Sequence, residues 1–256
     1  MARIMGIINV TPDSFWSESR VQDKTTLVER VRTMISQGAD AIDVGGCSTR
    51  PNAVQASAEE EMKRLEWGLD AIRAEFPDIL LSVDTYRPDI AERCVREWKV
   101  SIINDVYGGN DSMYKVVADT GAQYVLMWSE DIKDDPIGEM MLFFGNKLEK
   151  MKKAGVDVGS KVILDPGYGF GKTVEQNYTV LANQARLREF GLPVLSALSR
   201  KSMAWKLLKI TPDDALPATI AMNTVALMNG ADWIRVHDVA EAVHTVKIVQ
   251  ALTDNK

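Results

Sequence analysis

Eight short apolar runs punctuate the chain, and nearly every one closes on a polar residue suited to recognition or catalysis. The first, residues 4–10, ends around Asn9 and leads into Thr11-Pro12-Asp13-Ser14-Phe15. Residues 41–44 stand before Gly45-Gly46, 79–83 before Asp84, and 101–103 before Asn104-Asp105. Residues 124–127 precede Trp128, and 162–164 precede Asp165. Residues 192–195 lead into the stretch from Ser196 to Lys201, and 233–234 into Arg235 and His237. Apolar runs this short, bounded by turn residues, predict buried strands.

Between them lie stretches of helical periodicity at 25–37, 57–75, 88–98, 112–120, 137–154, 174–190, 213–229 and 240–252. Gly38, Gly121, Gly155, Gly191 and Gly230 stand just past the ends of five of them, where a left-handed cap is favoured. Ser57 followed by Glu60 has the form of a capping box. Pro88 sits early in its helix, where a missing N–H does no harm.

The order is therefore a strand and a helix, repeated eight times. Single strands separated by helices imply parallel pairing through right-handed crossovers. Eight such units in 256 residues predict an α/β fold, a single (β/α)8 TIM barrel spanning residues 1–256 as one domain. A doubly wound open sheet is the alternative. Enzymes with the barrel architecture keep their sites at the carboxyl ends of the strands, so the polar run-ends predict an active site there. The longest irregular stretches, 13–24, 45–56 and 128–136, all follow strands and are expected as mobile loops over that site.

Charge and cysteine content narrow the setting. A net charge of −6 with no basic block argues against a nucleic-acid partner. Cys47 and Cys94 have neither the number nor the spacing of a metal cluster or a disulfide framework, which predicts reduced thiols in the cytoplasm. No apolar run reaches the length of a signal peptide core or a membrane span, so no membrane partner is expected.

The strand ends supply two sets of groups. Asp84, Asn104 and Asp165 offer acceptors, and Asn104 also donates. Together they match a flat heterocycle bearing an amino group beside a ring N–H, and Lys201 adds a donor for a ring carbonyl or imine nitrogen. The rival reading is that buried aspartates cap neighbouring loops. One aspartate alone would favour it; three polar positions in phase with the strands favour a ligand. The second set is Arg50, Arg235 and His237, with Asn9 beside them. Arginine is a fork-shaped donor suited to phosphate oxygens. Asn9 offers a neutral oxygen to Mg²⁺, an ion that takes few protein ligands when substrate phosphates also hold it. An ion pair between His237 and Asp238 is the structural rival. His244 is expected to be structural or at the surface, and Met140-Met141-Leu142-Phe143-Phe144 a buried or interface face.

Two motifs fail on spacing. Gly171-Lys172-Thr173 resembles the end of a P-loop, but Pro166 occupies the required first glycine position. Gly167, Gly169 and Gly171 miss the dinucleotide pattern, and the run is expected as a close-packed turn that sets Asp165 in place. No Ser/His/Asp or Cys/His triad is apparent.

In chain order, the segments Asn9-Val10-Thr11-Pro12-Asp13-Ser14-Phe15, Gly45-Gly46-Cys47-Ser48-Thr49-Arg50-Pro51, Ser82-Val83-Asp84-Thr85, Ile103-Asn104-Asp105-Val106, Leu164-Asp165-Pro166-Gly167 through Gly171-Lys172, Ser199-Arg200-Lys201-Ser202 and Arg235-Val236-His237-Asp238 resemble the signatures of the dihydropteroate synthase family. The resemblance spans nearly the whole chain. It implies condensation of 7,8-dihydropterin-6-ylmethyl diphosphate with 4-aminobenzoate to dihydropteroate and pyrophosphate, on the folate pathway. It implies that Asp84, Asn104, Asp165, Lys201 and Thr49 hold the pterin, and that Asn9, Arg50, Arg235 and His237 meet the diphosphate. Asn9 would ligate Mg²⁺. Phe15, Thr49, Pro51 and Ser202 would border the aminobenzoate, and Asp84, Asp165, Lys201 and Arg50 would carry catalysis. A homodimer built through the later helices and a response to sulfonamides are implied as well. The chain departs from the family pattern at Trp16-Ser17-Glu18-Ser19-Arg20 after Phe15, at Cys47 where the family has Glu, and at Met127-Trp128-Ser129. The amino terminus is short, so the hairpin that often plugs the barrel bottom is expected to be missing.

Overall fold

A computed structural model describes residues 1–10, 23–47 and 55–255. The strands are β1 (Arg3–Asn9), β2 (Ala41–Gly45), β3 (Leu80–Asp84), β4 (Ile102–Asp105), β5 (Gln123–Met127), β6 (Val162–Asp165), β7 (Leu195–Ser196) and β8 (Trp233–Val236). They form one parallel sheet in the order β6-β5-β4-β3-β2-β1-β8-β7. A parallel bridge between Leu164 and Val194 joins the two ends, with Leu164 N–H donating to the Pro193 carbonyl over 2.8 Å. The sheet therefore closes into the expected (β/α)8 barrel rather than the open alternative. β7 is shorter than the run 192–195 predicts because Pro193 has no N–H to give the ladder.

The helices are α1 (Lys24–Gln37), α2 (Ala58–Glu75), α3 (Pro88–Trp98), α4 (Asp111–Thr120), α5 (Pro136–Lys153), α6 (Val158–Lys161), α7 (Val174–Asn183), α8 (Ser202–Leu208), α9 (Leu216–Met228) and α10 (Val239–Asp254). Their caps are local chemistry. Ser57 Oγ accepts from Glu60 N–H at 3.1 Å, and Thr173 with Gln176 completes a reciprocal capping box on α7. Two predicted helices divide. Residues 174–190 become α7 followed by a 3-10 helix, Gln184–Phe190, and 213–229 become a 3-10 turn, Asp213–Ala215, followed by α9. α6 and α8 escaped the periodicity because each is too short to show a repeat.

Two cores result. The larger lies between the barrel and its helices. The smaller fills the barrel with Met5, Ala41, Ile102, Val125, Ile163, Leu195, Ala197 and Trp233. At the amino end of β1 and β8, the Arg3 guanidinium lies 4.4 Å from the Trp233 ring centroid and covers that end of the inner core. Among the described residues, no helix is long and apolar enough to cross a membrane.

Residues 128–136 are tied by hydrogen bonds at both ends of the stretch. Trp128 is buried and donates its indole N–H to the Glu130 carbonyl, while the Glu139 carboxylate accepts from the backbone N–H groups of Lys133, Asp134 and Asp135. Parts of the other two expected loops fall outside the described residues.

Candidate functional site

Strand register sets the polar groups level with one another. Asn9 is paired with Gly45, Gly45 with Asp84, and Asp84 with Asn104. Paired residues on parallel strands point to the same face, so three side chains from β1, β3 and β4 share one rim. Gly45 keeps that rim open: a Cβ there would lie 3.3 Å from Asn9 Oδ1 and 3.6 Å from Asp84 Cβ. Across the barrel, Asp165 is paired with Met127 at the end of β6. Asp84, Asn104 and Asp165 are all buried. The polar residues lie within the strands or at their last position. Arg235 lies inside β8 and not after it, because an inward polar side chain leaves its backbone free to pair.

The acidic and cationic sets interlock instead of standing apart. Arg235 donates from Nε to Asp43 Oδ2 at 2.6 Å and from Nη2 to Asp84 Oδ2 at 2.9 Å. Asp43, wholly buried, also accepts from Asn104 Nδ2 at 3.0 Å on the same Oδ2. The second carboxylate oxygens, Asp43 Oδ1 and Asp84 Oδ1, have no hydrogen-bond partner in the structure. Burial pushes the Asp84 carboxyl up to about 7, against the pull of Arg235 and with further push from Asp43 and Glu61. Asp165 is also raised by burial, although Gly167 N–H donates to its Oδ1 over 2.7 Å. Lys201 is lowered to about 8 by burial and by Arg235, with Asp165 and Asp84 opposing. Its ammonium lies 4.4 Å from the centroid of the Phe170 ring.

His237 is also part of this mouth. Its Nδ1 lies 3.0 Å from Ser199 Oγ, and the same hydroxyl accepts from the His237 backbone N–H at 3.2 Å. When the hydroxyl donates to Nδ1, the ring carries its proton on Nε2. Burial, then the nearby Arg235, Arg30, Arg200 and Lys201 cations, lower His237 to about 3, so the ring is neutral at ordinary pH. The rival ion pair with Asp238 is not what holds it. Arg200 grips Asp238 with two bonds of 3.0 and 2.9 Å and also donates to the carbonyls of Pro212 and Asp213. Arg200 adopts a left-handed φ of 53°, uncommon for a residue with a side chain, and the chain turns there immediately before Lys201.

The glycine-rich turn after β6 is as tight as expected. A Cβ at Gly167 would come within 2.0 Å of the Trp128 carbonyl oxygen, and φ there is +64°. Lys172 donates to the Phe170 carbonyl across this turn at 2.7 Å, and burial lowers its ammonium to about 7.

Thr49, Arg50, Pro51 and Phe15 lie outside the described residues. The chain beside that second segment is firmly held. Arg64 donates to the Gly46 carbonyl, Arg87 to the Ala56 carbonyl, and Arg87 pairs with buried Glu61. Ser202 is the first residue of α8, next to Lys201. Asp43, Ser199 and Arg200 were missed by the sequence reading. Asp43 had a signal, a lone carboxylate inside an apolar strand run. Among the described residues no group of three or more His, Cys, Asp or Glu is placed to hold a metal ion.

The model of the pterin binding enzyme family matches residues 5–237. Dihydropteroate synthase of Escherichia coli is 36% identical, with 99% of this chain and 92% of that protein aligned. The solved dihydropteroate synthase of Clostridium difficile, in the presence of pteroic acid, superposes with a TM-score of 0.90 at 36% identity, covering 98% of this chain and 96% of that one. The Yersinia pestis enzyme in a sulfonamide drug complex superposes with a TM-score of 0.93 at 35% identity, covering 100% and 95%.

Proposed function

The chain belongs to the pterin-binding enzymes, within the dihydropteroate synthase family, and from that premise we propose how its residues divide the reaction. It is a transferase of folate biosynthesis. The C–O bond of 7,8-dihydropterin-6-ylmethyl diphosphate breaks, and pyrophosphate leaves with the electron pair. The amine of 4-aminobenzoate then forms the new C–N bond and loses a proton. The observation that carries this reading is the shared rim: Asp84, Asn104, Asp165 and Lys201 around one mouth, with Arg235 and His237 entering it.

Asp84, Asn104, Asp165 and Lys201 grip the ring, with Thr49 beside them. Each charge-assisted bond contributes about 1.5–3 kcal/mol. The two carboxylates also lie where they stabilise the cation that develops as pyrophosphate departs. Arg235 spends two N–H groups on Asp43 and Asp84, and its remaining donors serve the diphosphate together with Arg50, neutral His237 and Asn9. Phe15, Thr49, Pro51 and Ser202 border the aminobenzoate. No protein nucleophile is required. Holding both reactants in line supplies about 7–11 kcal/mol of the barrier reduction.

The rim suits a magnesium ion held chiefly by substrate phosphates, because Asn9 offers one neutral oxygen beside the opening at Gly45. Bound there, Mg²⁺ would neutralise charge on the departing pyrophosphate. Exposed Ile220, Val225 and Met228 on α9, with Leu207 and Leu208 on α8 and Ile248 and Leu252 on α10, support a homodimer through these helices. Reduced, buried Cys47 and Cys94 support a cytoplasmic setting.

The test is release of pyrophosphate from the dihydropterin diphosphate with and without 4-aminobenzoate. Release that depends on the amine is expected. Pterin binding without any release would mean a silent binding barrel instead.

A further inference from the structure

The substrate-facing residues leave one group at the centre of the site without a role. Asp43 is wholly buried, sits two residues below the Gly45 rim position on β2, and touches no open part of the mouth. One of its oxygens, Oδ2, receives both the Asn104 amide at 3.0 Å and the Arg235 Nε–H at 2.6 Å. An oxygen already accepting from a guanidinium has no proton to offer, so only the nitrogen of the Asn104 amide can face it. An asparagine amide is nearly symmetric in shape, and its partners alone decide which end faces where.

We propose that Asp43 is a positioning residue that sets the handedness of ring recognition, by locking the Asn104 amide and the Arg235 guanidinium in one orientation each. With one Nδ2 hydrogen held by Asp43, Asn104 presents its other N–H and its Oδ1 side by side in a fixed order. That order fits a ring edge carrying an acceptor next to an N–H and rejects the reverse. Arg235 is held by the same oxygen and so cannot follow the departing phosphate or swing away from Asp84. The inference rests on the reading that this mouth takes a pterin.

Asp43→Asn keeps the shape and removes the exclusive acceptor, so the Asn104 amide loses its preference. The experiment measures calorimetric binding of a hydroxymethyl pterin without phosphates to the full-length wild type, Asp43→Asn, Asn104→Ala and the double variant. Asp43→Asn is expected to weaken binding by about tenfold or more, on the scale of a charge-assisted bond. In the Asn104→Ala background the same change should add little, because toward a pterin without phosphates Asp43 acts through that amide, while its hold on Arg235 serves the diphosphate. Unchanged affinity in Asp43→Asn, or losses that multiply fully in the double variant, would overturn the proposal. A second measurement needs no folded variant at position 43: the Asn104 side-chain amide resonance of the wild type, identified by its loss in Asn104→Ala. Slow solvent exchange of one amide proton is expected, and fast exchange of both would count against Asp43. A wild type that binds no pterin sinks the functional reading instead, and the amide resonance then decides the positioning role alone.

Discussion

Asp84 and Lys201 face each other across the mouth with their ordinary titration ranges drawn together. Burial raises Asp84 to about 7 and lowers Lys201 to about 8. In the proposed function, ring binding needs the carboxylate as an acceptor and the ammonium as a donor. Affinity for a pterin should therefore fall as pH drops through the Asp84 range, and fall again as pH rises through the Lys201 range. The checking measurement is calorimetric titration across both limbs. Asp84→Asn should flatten the acid limb and Lys201→Met the alkaline one. An acid limb that persists in Asp84→Asn would assign it to another group. The placement of Asp84, Asn104 and Asp165 was legible because each closes an apolar run, and a polar side chain at the carboxyl end of a barrel strand is aimed at the mouth. Asp43 was not, because its value depends on meeting Asn104 and Arg235, which lie far from it in the chain.

The turn after β6 shows how one element places a functional side chain. Gly167 and Gly191 both have φ near +65°, at +64° and +68°. Their surroundings differ: a Cβ at Gly167 meets the Trp128 carbonyl oxygen at 2.0 Å, whereas one at Gly191 meets nothing within 4 Å. Gly191→Ala should cost only the left-handed penalty, about 1–2 kcal/mol. Gly167→Ala should cost clearly more in urea unfolding, and should also weaken pterin binding, since Gly167 N–H anchors Asp165. Equal losses at the two sites would mean that the turn is not packed as described. The sequence shows the glycines, and a glycine-rich run after a strand suggests a tight turn. It does not show that Trp128, on the neighbouring strand's loop, is the wall. Short elements were lost for the same kind of reason. A two-residue β7 and a four-residue α6 owe their existence to neighbours already in place, not to any repeat of their own.

On the scale of the molecule, α9 is apolar almost all round, with Ile220, Val225 and Met228 exposed on the side away from the barrel. Ile248 and Leu252 of α10 and Leu207 and Leu208 of α8 extend the apolar surface. Met228→Lys combined with Val225→Lys should shift sedimentation from the proposed dimer to monomer and leave pterin binding in place. A wild type that sediments as a monomer at micromolar concentration would remove the dimer. The chain by itself determined the eightfold alternation of strand and helix and the polar residues at the carboxyl ends of β1, β3, β4 and β6, because strand-length apolar runs and polar run-ends are local patterns with a fixed period. Only the tertiary structure decided that the carboxylates and cations interlock through Asp43, that His237 leans on Ser199 while Asp238 goes to Arg200, and that Leu164 closes the ring beside Pro193. Those outcomes depend on distances between residues far apart in sequence, which no local periodicity encodes.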